Sequence, residues 1–256
     1  MYIHNEKSIS NFKITEIAGS KNELWSGTVN RGLNRIIEVY KSQVDIILCN
    51  IDIEFKKLTL NNLVKANNLL SRKAIIGALG ISKDKVYCSG VQVKSWAFPI
   101  KNVHPYEGMN PIDVNNMPNI SVDFLPCRCV FIPRSVNLSI DAISEKKLPH
   151  YHADYEFTNR LKKKGFDLII ENKSQIYLDM NNTGISVFND NFSPSIFFKN
   201  LFNIKHISNL KYRINFVLLT FPSYAKASAI LIYVFKTFFE LSLALFYSLI
   251  KRNNDD

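Results

Sequence analysis

The stretch from Ser121 to Phe166, SVDFLPCRCVFIPRSVNLSIDAISEKKLPHYHADYEFTNRLKKKGF, constrains this chain more than any other. Val122, Phe124 and Leu125 open an apolar run that resumes at Val130, Phe131 and Ile132 and stops at Pro133-Arg134, the pattern of a buried strand. A short aromatic loop follows, Leu148-Pro149-His150-Tyr151-His152. Asp154, Tyr155, Glu156, Phe157 and Arg160 then fall on helical spacing, and Gly165 ends the helix. Asp154 stands near the helix start, where the dipole favours an ionised carboxylate. Glu156 points to a different face and has Arg160 four residues on, within reach of an ion pair. Many ordinary helices begin acidic and end basic, so on its own this stretch predicts a strand, a loop and a helix, and no chemistry.

Upstream, Gly27 and Gly32 bracket a predicted turn leading into a helix through Tyr40, with Leu33, Ile36, Ile37 and Tyr40 on one face. Such a turn can offer backbone N–H groups to a phosphate, and it is equally a plain loop-to-helix junction. Val44 to Glu54 reads as an apolar strand running into alternating acids. Carboxylates at a strand's carboxyl end are well placed to hold a hard divalent cation beside a diphosphate, although a solvated Asp and Glu at a strand end fit the same pattern. Leu58 to Leu70 is predicted as a helix with Leu60, Leu63, Val64 and Leu70 inward. Strands are predicted at Ile75–Leu79, within Val86–Phe98 and at Asp167–Tyr177, through Leu168-Ile169-Ile170 and Ile176-Tyr177-Leu178, and a long loop at Asn102–Asn119. Trp96 and Tyr106 are aromatic groups that can stack on a sugar or serve as core and surface residues respectively.

Taken together these segments resemble family-two, inverting glycosyltransferases of GT-A fold, in particular the rhamnosyltransferase-like group of bacterial polysaccharide synthesis. The matching residues are Trp25-x-Gly27 with Asn30 and Gly32, Asn50-Ile51-Asp52 as the family's Asp-x-Asp variant, Ile132-Pro133-Arg134, the acidic helix Asp154-x-Glu156 with Arg160, and Lys164-Gly165-Phe166. The likeness covers roughly Ile3 to Gly184. It implies an α/β fold: a Rossmann-like, mostly parallel sheet flanked by helices, lacking the first strand and helix, with apolar helices at the C-terminus. It implies transfer of a sugar, with inversion, from a nucleotide-sugar donor to a glycan or lipid-linked acceptor. In that scheme Asp154 is the base. Asn30, Arg31, Asn50 and Asp52 face the donor, with Asp52 as ligand of a divalent cation, Mg²⁺ or Mn²⁺. His150, His152, Glu156, Arg160 and Trp96 lie on the acceptor side. Three departures stand out. Cys127-Arg128-Cys129 replaces a Gly-Arg-Gly-like turn; Asn181 and Asn182 stand where many members carry a metal-binding His; and His4 stands where an Asp contacts the base, so the chain is expected to begin late in the fold. An inactive, truncated remnant or scaffold of the same fold is the alternative.

Two regions are expected, 1–195 as the catalytic domain and 196–256 as a basic and apolar helical segment. Phe197 to Lys226 carries Lys199, Lys205, Lys211, Arg213 and Lys226 and no acid, and Ser228 to Ile250 is strongly apolar, with Lys236 and Glu240 four apart inside it. Two charges at mid-depth are costly for a spanning helix, so a helix or helix pair lying on the cytoplasmic membrane surface is expected, with a buried hairpin as the alternative. The four cysteines lack zinc spacing and no signal peptide is evident, which suits a reduced, cytoplasmic compartment. The net charge of +10 suits an anionic partner, but the Lys and Arg residues are scattered and form no nucleic-acid motif, so none is expected to bind.

Overall fold

The computed structural model describes residues 4–9, 12–21, 23–41, 44–71, 73–137, 142–179 and 193–255. A hairpin comes first, β1 (His4–Ile9) with β2 (Phe12–Ile17). Then follow α1 (Trp25–Tyr40), β3 (Ile46–Cys49), β4 (Ile53–Phe55), α2 (Thr59–Leu69), β5 (Ala74–Ser82), β6 (Lys85–Cys88), β7 (Gln92–Ser95), β8 (Lys101–Val103), the short α3 (Pro111–Val114) and β9 (Ile120–Ser121). The chain continues with β10 (Cys129–Ile132), α4 (Ala153–Lys163), β11 (Asp167–Leu178), α5 (Pro194–Phe202), α6 (Leu210–Thr220) and α7 (Ser223–Asp255).

The fold is mixed α/β with a central sheet in the order β3-β10-β5-β11-β4, with β6 beside β5 and β9 beside β11. The expected mostly parallel sheet is corrected by the pairing: β5·β11 is parallel, while the other pairs of the sheet are antiparallel. The cause is where β10 enters. It returns from the long 96–128 excursion between β3 and β5, antiparallel to both, so β3, β5 and β11 still share one direction.

Alternation along the strands builds two cores. Ile75, Leu79, Val130, Ile132, Leu168 and Ile170 point to one face, where Leu33 of α1 and Phe157 and Leu161 of α4 cover them. Ala74, Ile76, Ala78, Cys129 and Phe131 point to the other, under Leu63 and Ala66 of α2. Phe216 and Val217 of α6, Phe221, and Ala225 and Ala229 of α7 belong to the first of these cores, so it continues past residue 196.

Several local expectations change. Gly27 and Gly32 lie inside α1, which begins at Trp25, so they form no turn and no phosphate cradle. The first helical N–H groups are taken up from outside: Ser26 donates its N–H to Pro149 O (3.1 Å) and its hydroxyl to Leu148 O (2.6 Å). On α2, Leu63 is buried but Leu60, Val64 and Leu70 are exposed; Thr59 and Ala66 take the inward positions. The strand expected at Asp167–Tyr177 holds as β11, with a bulge between Glu171 and Gln175. The loop expected at 102–119 contains α3.

Gly77 shows how tightly β5 is sandwiched. A Cβ there would lie 2.7 Å from Leu125 Cδ2 and 3.1 Å from Ile170 Cδ1. Gly77→Ala is expected to cost about 1–3 kcal/mol through overpacking, measured by urea unfolding.

Candidate functional site

The carboxyl end of β3 and the start of β10 are adjacent, because these strands pair antiparallel with Cys49 opposite Cys129. Just beyond, Asn50 donates its N–H to Arg128 O (3.0 Å), which fixes the turn entering β10. Trp25, the first residue of α1, reaches over with its indole N–H 3.4 Å from Asn50 Oδ1. The Ser26 bonds hold loop 148–151 against the same end of α1. His152 then takes a left-handed backbone (φ 66°) and turns the chain into α4, with Asp154 on its first turn. These elements enclose a cleft of about 200 Å³ lined by Trp25, Asn50, Cys127, Arg128, His150, Tyr151 and Asp154.

Burial pushes the Asp154 acid above the usual carboxyl range, and the backbone N–H groups of Tyr155 and Cys127, with the Arg128 guanidinium, partly oppose this. The Tyr155 N–H lies 2.9 Å from Asp154 Oδ1. Burial, with Lys205 adding to it, holds His150 below its ordinary pKa, and its Nδ1 is buried without a partner. Burial likewise raises the Cys127 thiol and the Tyr155 phenol well above their ordinary values, so both stay protonated. The cleft therefore gathers a carboxyl group of raised basicity, a guanidinium, an imidazole of lowered basicity, an amide and an indole.

Three of the sequence-predicted residues, Asn50, His150 and Asp154, come together here. The others do not line the cleft. Asn30 is a brace: its Nδ2 donates to Ile143 O (2.9 Å) and its Oδ1 accepts from Ile143 N (2.8 Å). Arg31 pairs with Glu23 at 2.5 Å and, with Asn30, lines a separate hollow of about 280 Å³ beside α1. Asp52 sits half-buried in the turn between β3 and β4, where its carbonyl accepts from Asp179 N (3.4 Å). His152 stacks on Phe216 with ring centroids 4.8 Å apart, away from the cleft lining. Glu156 is 2% exposed and receives Arg160 Nε at 2.8 Å, while Arg160 also donates to Ala142 O (2.9 Å); the pair ties α4 to the preceding loop. Trp96 is an aromatic core residue, edge-on to Phe124 (5.7 Å) and Phe221 (4.9 Å).

Asn181, Asn182 and the His4 side chain lie outside the described residues. Among the described residues no three His, Cys, Asp or Glu side chains come together as a metal-holding group. Arg128, Trp25 and Tyr151 were not singled out as site residues by sequence. The signal available was the unusual Cys127-Arg128-Cys129 turn, which puts a cation between two buried thiols.

No protein-family model matches the chain, and no characterised protein matches it.

Two stability profiles follow. Burial pushes His152 from 6.5 down to about 4. The folded state therefore resists protonation, and stability present above pH 6.5 is lost as pH falls towards 4, by about 3 kcal/mol at most. His152→Asn, which tolerates the left-handed backbone, is expected to flatten that decline in unfolding free energy measured against pH. Asp154 has the opposite sign: its raised acid means that ionisation destabilises the fold as pH rises past the carboxyl range. Asp154→Asn is expected to raise the melting temperature at pH 7, with the gap closing in acid.

Proposed function

We propose that the cleft transfers a sugar from a nucleotide-activated donor to an acceptor hydroxyl with inversion, on a GT-A type of scaffold. The observation that carries this reading is Asp154: a carboxylate made more basic by burial, held by the backbone N–H groups of Tyr155, Cys127 and Asp154 itself, in a cleft shared with Asn50 and Arg128. General-base work needs that combination of raised pKa and fixed position. The cleft's place beyond the carboxyl end of β3, in a sheet whose β3, β5 and β11 run the same way, is where open α/β sheets gather ligands.

In the proposed step the acceptor oxygen attacks the anomeric carbon and its proton passes to Asp154. The bond from that carbon to the diphosphate oxygen breaks, and the electron pair leaves with the diphosphate. Arg128, the cation lining the cleft, offsets the growing negative charge. Trp25 and Tyr151 offer faces against which a sugar or base can stack. Asn50 orients the donor.

Among the described residues the cleft lining brings a single carboxylate, Asp154, and leaves Asp52 outside, so the residues present do not fit the expected Mg²⁺ or Mn²⁺ and no step is routed through one. Glu156 and Arg160 position α4 and the 142 loop. Asn30 and Arg31 act through the loops they brace. Lys205 exerts its charge at His150 on the cleft wall, which favours an acceptor that itself carries phosphate, such as a lipid-linked glycan. That acceptor would place the protein on the cytoplasmic face of the cell membrane.

The second reading, a scaffold of the same fold without turnover, draws on the cleft's volume. About 200 Å³ is below the roughly 300–1,000 Å³ usual for ligand sites. Calorimetry with UDP-glucose, dTDP-rhamnose and GDP-mannose, each with Mn²⁺, separates the two. Saturable heat with one donor supports transfer, and a blank with every donor favours the scaffold. For the binding donor, Asp154→Asn is expected to lower kcat by about 10²–10⁴-fold while leaving donor affinity unchanged. Unchanged turnover removes Asp154 as the base.

A further inference from the structure

Helix α7 is polarised against the sense expected in water. Its inward line runs through Ala225, Ala229, Thr237, Leu241, Ala244 and Ser248, all buried and mostly small or hydroxylated. Its outward line carries Leu231 (71% exposed), Phe235 (73%), Phe239 (53%) and Phe246 (62%). Phe235 and Phe239 stack on each other in the open, ring centroids 6.2 Å apart. Phe198 and Phe202 of α5 are exposed as well. A helix on a water-soluble surface turns its large apolar residues inward, and a continuous apolar face left outward needs a cover.

Charge selects the cover. Residues 193–250 contain Lys199, Lys205, Lys211, Arg213, Lys226 and Lys236 against one acid, Glu240. Arg213 is buried and donates to Glu240 (2.8 Å), Thr237 (2.8 Å) and Ile207 O (3.0 Å), so the acid is largely consumed inside. Lys236 stands at the rim, its side chain 60% exposed and 3.8 Å from Glu240. An apolar stripe with Lys236 at its rim, in a segment whose cations outnumber its one acid, matches an anionic lipid surface.

We propose that α7 lies in the plane of an anionic bilayer, with Leu231, Phe235, Phe239 and Phe246 among the acyl chains and the surrounding lysines at the lipid phosphates. Ser223–Ser248 is long and apolar enough to cross a membrane, with mean hydropathy 1.8. Crossing is disfavoured by what covers the inward face. Ala225 and Ala229 belong to the main core, and Leu241 and Ala244 pack with Leu201 of α5. A spanning α7 would draw Lys199 and the Arg213–Glu240 pair into hydrocarbon. The proposal does not rest on sugar transfer and survives or fails apart from it.

The full chain is tested by flotation with phosphatidylcholine vesicles, with and without phosphatidylglycerol. Flotation confined to the anionic vesicles, weakened by salt and released by alkaline carbonate, is expected. The double variant Phe235→Asp/Phe239→Asp, checked for native circular dichroism, should lower partitioning by about tenfold or more. Phe235→Trp emission, corrected for Trp25 and Trp96 with the unsubstituted protein, should be quenched more by bromines near the headgroup than by bromines at the bilayer centre. Equal flotation on neutral vesicles, or none on either, overturns the proposal. So does carbonate resistance with quenching at the bilayer centre, which means a spanning helix. An undiminished double variant, or a lipid-free dimer that buries the stripe, also overturns it.

Discussion

Strand β5 has no face to give to water. Every residue from Ala74 to Ile81 is buried, and alternate side chains are claimed by two different cores. That demand dictates the layering: α4 and α1 must close one side and α2 the other, with β10 and β11 pairing along the two edges. Gly77 and Gly80 mark where the layers come closest, since a side chain at either would strike Leu125 or Leu178. At ~25 cal/mol per Å² of apolar surface, burial on both faces makes this strand a principal source of stability. The loops that form the cleft are carried on the ends of its neighbours.

The cleft itself is built against stability. A carboxylate partly withdrawn from water is tolerated because the start of α4 and the Cys127 N–H supply donors, and because Arg128 lies near. The loop that brings His150 and Tyr151 alongside is fastened at several points: Ser26 to Leu148 and Pro149, Asn30 to Ile143, Arg160 to Ala142. None of those fastening groups touches the cleft interior. Each is a polar side chain satisfied by backbone, so the geometry around Asp154 is inherited from hydrogen bonds one layer out.

Much of this was legible where one physical signal dominated. The α4 segment reads correctly because its acids, its Glu156–Arg160 spacing and the stop at Gly165 (φ 97°) all agree. The strand β5 and the apolar centres of β3 and β10 read correctly because buried strands are apolar runs, but the run from Val44 to Glu54 splits into β3 and β4, and the run opened at Val122 is strand only at β10. Legibility failed where tertiary partners override local pattern. On α2 the inward face is set by Thr59 bonding Gln175 O (2.6 Å), which rotates Leu60 and Val64 outward. Asn30 looked like a ligand-facing amide because its partner, the Ile143 backbone, lies 113 residues away and leaves no trace in local sequence. Arg128 acquires its place only in the fold, which brings its charge near the Asp154 carboxyl.

One aromatic block joins the site to the C-terminal helices. Phe124 packs against Tyr155 (5.5 Å), the neighbour of Asp154, and against Phe216 of α6 (5.7 Å) and Trp96 (5.7 Å). Phe216 in turn stacks under His152, where the chain turns into α4, and Phe221 at the α6–α7 corner closes on Trp96 and Tyr233. Aromatic packing of this kind transmits displacement because rings in a close-packed interior have little room to adjust separately. The start of α7 and the start of α4 are therefore joined through one run of aromatic contacts. The C-terminal helices thus share one packed core with the elements that carry Asp154.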